Sequence, residues 1–401
     1  MFDPLSVLMI VHHRRHRLRG RSLVMAQHLV KRGHKVTLVA TADTRKTGIT
    51  ENRNDGLRIV EIPDFLWGRL RSGWDLWNML NREYFLRADH EKYDLVHVFE
   101  TRPNCIYPAL SIVNRLKLPF LTDWNDWFGR GGIIEVLRPR WYRNIFGPIE
   151  TYYEEAFRNR ADGVTVISNA LGERAYQLGI PREKIRRIPG GAIPELYPAR
   201  DMDECRAHMG YPHEIPILGF SSSDSHLDME IIFDTLAILK TRLPGIRLIV
   251  TGKVNTKVLA MANKLGVLEN LILPGFLPVE ELSWCLGSAN IFLLPFPATI
   301  YNIGRWPNKI GLYMSQGRPT VTNPVGDIKP VIEQSQIGLL AESTPESFAE
   351  KTYTLLNDNE TCQKMGMNAL ELALTRFNWT HLIVDLEEFY YQTINQGGRY
   401  S

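Results

Sequence analysis

Cysteine is scarce in this 401-residue chain, and the four that occur are widely separated. They are Cys105, Cys205, Cys285 and Cys362. No CxxC pair is present. This pattern argues against a structural zinc site and predicts a reduced, cytosolic setting.

Long apolar runs are also missing. No stretch approaches the roughly 18 continuous apolar residues that a transmembrane helix needs, so none is predicted. Residues 5–11 are mostly apolar, but the positive charges follow this run instead of preceding it. That order is wrong for a signal peptide, and the expected location is therefore cytoplasmic.

Short-period repeats and low-complexity segments are absent, and the composition is that of an ordinary globular protein. Hydrophobic residues make up 44% and charged residues 23%, which at this length suits two domains. The charge is uneven, since residues 1–200 sum to +10 and residues 201–401 to −7. We expect only the first half to face phosphates or an anionic surface.

Short apolar runs alternate with helical patterns in both halves, which predicts α/β domains with doubly wound parallel sheets. The predicted strands are 7–11, 35–40, 94–99, 120–122 and 163–167, and then 215–220, 247–251, 271–273, 291–294 and 319–322. A Pro/Gly-rich zone at 188–194 separates the two series. We therefore place an N-terminal Rossmann-like domain at 1–190 and a second at 191–378. Two such domains in tandem predict a cleft at the carboxyl ends of their strands, where ligands of these sheets bind.

Several motifs resemble those of family 4 glycosyltransferases and follow the same order along the chain. They are Gly33–Leu38 (GHKVTL), Asp94–Val98 (DLVHV), Ala161–Ser168 (ADGVTVIS), Lys184–Gly191 (KIRRIPGG), Pro274–Phe276 (PGF), Ala289–Pro295 (ANIFLLP) and Arg305–Thr322 (RWPNKIGLYMSQGRPTVT). Each motif alone is weak, but their order and spacing over nearly the whole chain favour the family. The resemblance implies the GT-B fold, with two doubly wound Rossmann-like domains facing across a cleft.

The resemblance also implies a function. Members move a sugar, with retention of configuration and no essential metal, from an activated donor that is usually a nucleotide diphosphate sugar. The second domain would bind the donor, and the first would bind a glycan or lipid-linked acceptor. A helix from Trp379, over about 379–401, would cross back to complete the first domain. No cofactor is expected.

The donor site departs from the family pattern. The family usually has an Arg and a Lys after the first strand of the second domain, whereas Gly219–Leu227 contains neither. Its two glutamates would fall at Gly304 and Leu312. Either neighbouring groups substitute for them, which we favour, or the nucleotide site has decayed or the donor is unusual. The donor-binding candidates are Ser221, Ser222, Lys253, Gly275, Phe276, Asn302, Gly304, Arg305, Asn308 and Lys309.

A basic segment, His12–Ser22, follows the first predicted strand. The family usually has a Gly-rich loop at this place. Arginine density there favours phosphate or another anion, and the candidates are His12, Arg14, Arg19 and Gly20. The alternative is a solvated basic loop. Nucleic-acid binding is not favoured, because no helix-turn-helix or zinc pattern accompanies this short run.

Acceptor-side candidates are carboxylates that follow predicted strands. Asp123 and Asp126 are predicted to contact sugar hydroxyls in catalysis, with Asp123 as a candidate general base, although a retaining transfer need not have one. The alternative is an Asx turn. Glu100 is a further candidate of lower rank.

Two segments combine tryptophan with arginine, at residues 65–77 and 138–146. Interfacial membrane segments have this composition, so peripheral contact with an anionic membrane is one interpretation and packing within the domain is the other.

The leading hypothesis is a hexosyltransferase of polysaccharide, lipopolysaccharide or glycolipid assembly. The alternatives are a nucleotide-sugar epimerase and a non-catalytic GT-B homologue that acts as a binding partner.

Overall fold

The computed structural model describes residues 3–14, 20–43, 47–65, 72–221 and 226–396. The chain divides into two compact units. Unit 1 comprises Met1–Pro189 with Trp379–Ser401, and unit 2 comprises Gly190–Asn378. Ser222 and Arg19, both named as site candidates above, lie outside the described residues.

Unit 1 alternates strands and helices along most of its length. Its strands are β1 (Ser6–Arg14), β2 (Lys35–Thr41), β3 (Thr50–Asn54), β4 (Leu57–Ile62), β5 (Leu95–Phe99), β6 (Phe120–Trp124), β7 (Gly163–Val166) and β8 (Ile185–Arg187). Its helices before the domain boundary are α1 (Arg21–Lys31), α2 (Leu76–Ala88), α3 (Pro103–Leu116), α4 (Ile133–Leu137), α5 (Arg140–Ala156) and α6 (Asn169–Gln177).

The eight strands of unit 1 form one sheet in the order β3-β4-β2-β1-β5-β6-β7-β8. All neighbouring strands run parallel except β3 and β4, which form an antiparallel hairpin at one edge. The hairpin turns at Asp55 and Gly56, whose φ angles of 43° and 90° are the positive values that a two-residue turn of this kind needs. The apolar run Val7–Val11 is fully buried at the centre of the sheet, as expected for a strand covered on both faces.

Unit 2 has the same alternation. Its strands are β9 (Ile217–Ser221), β10 (Arg247–Thr251), β11 (Leu271–Gly275), β12 (Ile291–Leu294), β13 (Thr320–Thr322) and β14 (Gly338–Leu340). Its helices are α7 (Met202–Met209), α8 (His226–Arg242), α9 (Thr256–Lys264), α10 (Val279–Gly287), α11 (Ile300–Gly304), α12 (Lys309–Ser315), α13 (Ile328–Ser335), α14 (Pro345–Asn357) and α15 (Asn359–Leu374).

The sheet of unit 2 is parallel throughout, in the order β11-β10-β9-β12-β13-β14. Gly219 in β9 allows a close approach, because a Cβ there would lie 2.5 Å from a ring carbon of Phe292 in β12. The core formed by β9, β10 and β12 with α8 and α14 contains fully buried Phe233, Leu248 and Phe348. Burial of such side chains contributes roughly 1.5–3 kcal/mol each.

The last helix, α16 (Trp379–Gln396), belongs to unit 1 and packs on α1. Glu387 in α16 is buried and accepts hydrogen bonds from Arg32 (2.9 Å from Nε) and His34 (2.7 Å). One carboxylate therefore ties the end of the chain to the first βαβ unit.

The predicted strands are all present, but the sequence missed β3, β4, β8 and β14. The predicted first strand was too short, since β1 continues to Arg14. His12 and Arg14 were placed in a loop after the strand, and this was wrong because both belong to β1, in which Arg14 pairs with Thr41 of β2. No helix among the described residues is long and apolar enough to span a bilayer.

Candidate functional site

Lys309 is a largely enclosed cation at the carboxyl edge of the unit 2 sheet. It begins α12, and its ammonium lies 3.7 Å from the Asp228 carboxylate and 4.0 Å from the centroid of the Phe220 ring. Only 20% of the side chain is exposed. Burial lowers the pKa of Lys309 to about 8; Asp228 raises it and the nearby Arg305 charge lowers it further.

The segment between α11 and α12 leaves polar atoms without partners. The guanidinium of Arg305 lies over the rings of Phe296 and Tyr301, at 5.2 and 5.0 Å, and its buried Nε has no hydrogen-bond partner among the described residues. Asn302 uses its amide nitrogen on the Pro297 carbonyl (2.8 Å), while its buried Oδ1 likewise has no partner in the described part. Orphaned buried polar atoms are rare in proteins and point to a ligand or water.

The end of β9 is fixed to α12 by a residue that the sequence reading did not single out. The N–H of Ser221 donates to the hydroxyl of Tyr313 (2.9 Å), whose ring stacks on Phe292 at 4.1 Å. The Tyr313 ring is fully buried, and burial raises the pKa of its hydroxyl. Asp228, which pairs with Lys309, was also missed, because its position after the β9 loop carries no motif.

The Gly190–Gly191 turn packs against the residues from Trp306 to Gly311 within unit 2. A Cβ on Gly190 would lie 2.3 Å from Trp306 Cδ1, and a Cβ on Gly311 would lie 2.5 Å from the Gly191 carbonyl oxygen. Asn308 is exposed at the start of α12, and Gly304 is buried at the end of α11. The Pro-Asn-Lys segment is therefore held by backbone contacts that larger residues would prevent.

The remaining donor candidates lie at other strand ends. Lys253 follows β10 and is exposed, and Gly275 ends β11 with φ of 74°. Phe276 is 80% exposed. Leu312, which occupies a family glutamate position, is half-buried on α12. Lys253 is thus a solvated lysine in this structure, in contrast to Lys309.

Asp123 lies at the end of β6 in unit 1 and is only 1% exposed. Its carboxylate accepts hydrogen bonds from Arg21 Nε and Nη2 at 3.1 Å and from the Thr165 hydroxyl at 2.6 Å. Because the Thr165 proton is used on Asp123, His97 Nε2 donates to Thr165 (3.1 Å) and His97 Nδ1 accepts from Tyr390 (2.7 Å).

This chain of hydrogen bonds disagrees with the prediction that Asp123 contacts a sugar or acts as a base. Its oxygens are occupied by groups of the protein itself, and the carboxylate is enclosed. Arg21 was predicted to lie in a basic loop but begins α1 instead, where it is buried and also donates to the Pro189 carbonyl (3.2 Å). Asp126 is half-buried, and its carboxylate accepts a hydrogen bond from the side-chain amide of Asn125 (3.3 Å).

Glu100 combines strain with burial. It follows β5 with φ of 74°, a left-handed value that costs a non-glycine residue roughly 1–2 kcal/mol. It is 8% exposed, and burial raises its pKa to about 8 against the opposing charges of Arg158 and Arg102. Asp126 and Glu154 raise it further. Strain and a perturbed pKa in one residue at a strand end are typical of functional groups.

The basic segment after Val11 is largely neutralised where it is described. His12 is buried, and burial together with the charges of His13, Arg102 and Arg82 keeps its pKa well below the usual value. Arg14 forms an ion pair with Asp64 and donates to the Ala42 carbonyl (2.8 Å). Gly20 is exposed before α1. The expected phosphate contact from Arg14 is therefore not supported, since its guanidinium is already paired.

Two family models match the chain. Residues 22–196 match "Glycosyltransferase Family 4", and residues 216–358 match "Glycosyl transferases group 1". The D-inositol 3-phosphate glycosyltransferase of Corynebacterium glutamicum is 25% identical over 229 residues, which are 53% of this chain and 52% of that protein. The match thus spans about half the length of this curated relative.

Solved structures show the same fold at low identity. Sucrose-phosphate synthase from Thermosynechococcus elongatus has a TM-score of 0.71 at 16% identity, covering 98% of this chain and all of that one. Anabaena HepE, solved in complex with UDP-glucose, has a TM-score of 0.70 at 15% identity, covering 97% of this chain and all of that one.

Proposed function

The chain belongs to the family 4, group 1 glycosyltransferases and has their GT-B fold of two Rossmann-like α/β domains, as the sequence predicted. We propose that it transfers a hexose-type sugar from a nucleotide diphosphate donor to a glycan or lipid-linked acceptor, with retention and without a metal. The observation on which this depends most is the pair of neighbouring cations, Lys309 and Arg305, at the carboxyl edge of unit 2.

A diphosphate leaving group needs compensation of the negative charge that develops on it. Arg305 and Lys309 replace the family's usual Arg and Lys in this proposal, and the unpaired Nε of Arg305 would donate to a phosphate oxygen. HepE, a structural neighbour, binds UDP-glucose. The same type of donor suits this chain, because the cations here would supply the charge that a metal supplies elsewhere.

The nucleoside end of the donor would be held differently from the family pattern. Leu312 cannot accept hydrogen bonds from ribose hydroxyls, whereas the unpaired Oδ1 of Asn302 can. We therefore assign Asn302 to a donor hydroxyl. The exposed Phe276 ring beside Gly275 would stack on the base or sugar.

On the acceptor side we assign the direct contact to Glu100 and a positioning role to Asp123. With a pKa of about 8, the Glu100 carboxyl is mostly protonated at neutral pH and both donates and accepts hydrogen bonds. An acceptor hydroxyl would contact it. Asp126, whose negative charge helps to raise the pKa of Glu100, would be the second carboxyl group of this acceptor contact.

Thermal shift with a panel of nucleoside diphosphates and nucleotide sugars tests the proposal, because a ligand of the native state raises stability by mass action. We expect one nucleotide and its sugar derivative to stabilise the protein, and we expect slow hydrolysis of that sugar nucleotide without acceptor. Stabilisation without hydrolysis or transfer would support the non-catalytic homologue, for which the missing glutamates argue. Release of an epimerised sugar nucleotide would support the epimerase. No shift at millimolar concentration would contradict a nucleotide donor.

We also propose that unit 1 contacts an anionic membrane. Helix α2 exposes Leu76, Trp77, Leu80 and Tyr84, each to more than half of its surface. These residues recur at helical spacing, and an exposed apolar helix surface of this kind suits contact with a lipid headgroup region. We expect the protein to sediment with phosphatidylglycerol vesicles at low salt and less so at high salt. Absence of binding at low ionic strength would contradict this contact.

A further inference from the structure

A cavity of about 680 Å³ lies in unit 1 between α4 and α5. Its lining includes three arginines, Arg130, Arg140 and Arg143, and two glutamates, Glu135 and Glu155. On α5 the lining residues recur every three to four positions, so one face of this 17-residue helix bounds the cavity. The remaining lining residues do not include a Lys or Asp.

The carboxylates of the cavity are already engaged, whereas the arginines retain free donors. Glu155 pairs with Arg174 (2.6 Å), and Glu135 accepts from the N–H of Gly131 (2.9 Å). Arg143 donates from Nη1 to the Glu135 carbonyl (3.0 Å), and its buried Nε has no hydrogen-bond partner among the described residues. The cavity is therefore positively charged and able to donate hydrogen bonds to an anion.

The neighbouring face of α5 is apolar and exposed. Trp141, Ile145 and Ile149 follow one another at helical spacing and are 61%, 59% and 42% exposed. Each directly follows a cavity-lining residue, namely Arg140, Asn144 or Pro148. Consecutive residues of a helix are offset by about 100° around its axis, so the stripe lies beside the cavity. Helices of soluble proteins normally turn such a stripe towards the core. In α5 the stripe is exposed, and the residues that the helix buries are Glu150, Thr151 and Glu154.

We propose that the α4–α5 cavity is the subsite for a phosphate group of the acceptor, and that this phosphate belongs to a lipid whose apolar part lies along the exposed stripe of α5. The proposal rests on the sugar-transfer function proposed above and names its acceptor class. A polar headgroup beside an apolar chain matches the arginine-lined cavity beside the Trp141–Ile145–Ile149 stripe. Arginine suits this role because its planar fork binds phosphate oxygens in pairs.

Vesicle binding tests the subsite directly. The probes are phosphatidylcholine vesicles with and without phosphatidic acid, and glucose 1-phosphate as a soluble phosphate. The cavity variants are Arg140→Gln/Arg143→Gln and Arg130→Gln. Arg138→Gln is the matched control, because Arg138 lies between α4 and α5, is exposed and does not line the cavity. Thermal melts check folding, and Arg130→Gln alters an exposed side chain that leaves the Arg143–Glu135 contact intact.

We expect wild-type protein to prefer vesicles that contain phosphatidic acid. The preference should fall about tenfold in the double variant, less in Arg130→Gln, and little in Arg138→Gln, since a hydrogen bond to a charged group contributes more than a general surface charge. An equal loss in Arg138→Gln would overturn the subsite, because binding would then reflect net charge alone. Glucose 1-phosphate binding as tightly as the vesicles would overturn the lipid assignment.

The subsite and the proposed function fail in different measurements. Binding of the sugar nucleotide depends on residues of unit 2, so the cavity variants should leave it unchanged. If wild-type protein binds no sugar nucleotide but keeps the arginine-dependent preference for phosphatidic acid, the transferase proposal fails and with it the assignment of the phosphate to an acceptor, whereas the binding of a phosphate-bearing lipid by the cavity stands. If it binds and hydrolyses a sugar nucleotide but shows no such preference, only the subsite fails.

Discussion

The carboxyl edges of the two sheets differ in how completely their charged groups are paired. In unit 1, Asp123 is enclosed and accepts from Arg21 and Thr165, and the chain of bonds continues to His97 and Tyr390. A saturated buried network fixes a conformation and has no capacity left for a ligand.

In unit 2, the polar groups at the corresponding edge are left open. Lys309 has one carboxylate at 3.7 Å, and Arg305 Nε and Asn302 Oδ1 have no partners among the described residues. Unpaired polar atoms are costly unless something binds them. Conspicuous charges at the carboxyl edges of the two sheets thus have two different uses, and only the unsaturated ones are good ligand candidates. Within unit 1, Glu100, with its strained backbone and raised pKa, is the residue most similar to the incompletely paired groups of unit 2.

Removing the charge of Asp123 should have the largest effect. Asp123→Asn leaves Arg21 buried without its counter-charge, and we expect a loss of about 3–5 kcal/mol in the free energy of unfolding. Urea denaturation measures it, with Asp126→Asn as the control because Asp126 is only half-buried and should change stability by less than about 1 kcal/mol. Equal, small losses in both variants would mean that the Asp123 network is not structural.

Removing the charge of Lys309 should affect binding more than folding. We expect Lys309→Met to weaken the binding of the nucleoside diphosphate identified by thermal shift about tenfold or more, because a charge-assisted hydrogen bond to phosphate is lost. Stability should change little, since burial already disfavours the charged lysine. Titration calorimetry compares it with Lys253→Met, which removes an exposed lysine. If both variants bind like the wild type, Lys309 does not contact the donor.

The pH dependence of donor binding should show the lowered pKa of Lys309. Its ammonium loses its proton as pH rises through about 8, so affinity for the diphosphate should be greatest below that pH and fall several-fold above it. In the Lys309→Arg variant the group stays charged, and the decline should disappear even if the overall affinity changes. A decline of the same size in both proteins would assign it to another group.

A smaller effect should reveal the strain at Glu100. Glu100→Gly and Glu100→Ala both remove the carboxylate, but only glycine adopts φ of 74° without cost. We expect the glycine variant to be more stable than the alanine variant by about 1 kcal/mol. Equal stabilities would show that the left-handed conformation is not maintained. Both variants should lose transfer activity if Glu100 contacts the acceptor.

Much of the fold could be predicted from the sequence, because apolar runs such as Val7–Val11 and residues 291–294 are local signals of buried parallel strands. Polar edge strands were missed for the same reason: β3 is exposed at all five residues and has no apolar alternation. The extension of β1 to Arg14 was missed because histidine and arginine are uncommon in buried strands, and here Arg14 is accommodated by Asp64 and by the Ala42 carbonyl.

The sequence by itself determined the alternating α/β architecture and the family, since these depend on local patterns and motifs, and it predicted a donor segment around Lys309. Only the tertiary structure decided which charges are free. Asp123 and Lys309 both look like charged candidates in the sequence, yet Asp123 is saturated by Arg21, 102 residues away, and Lys309 keeps part of its capacity. Pairing, burial and the resulting pKa values depend on contacts between distant segments, which no local pattern records.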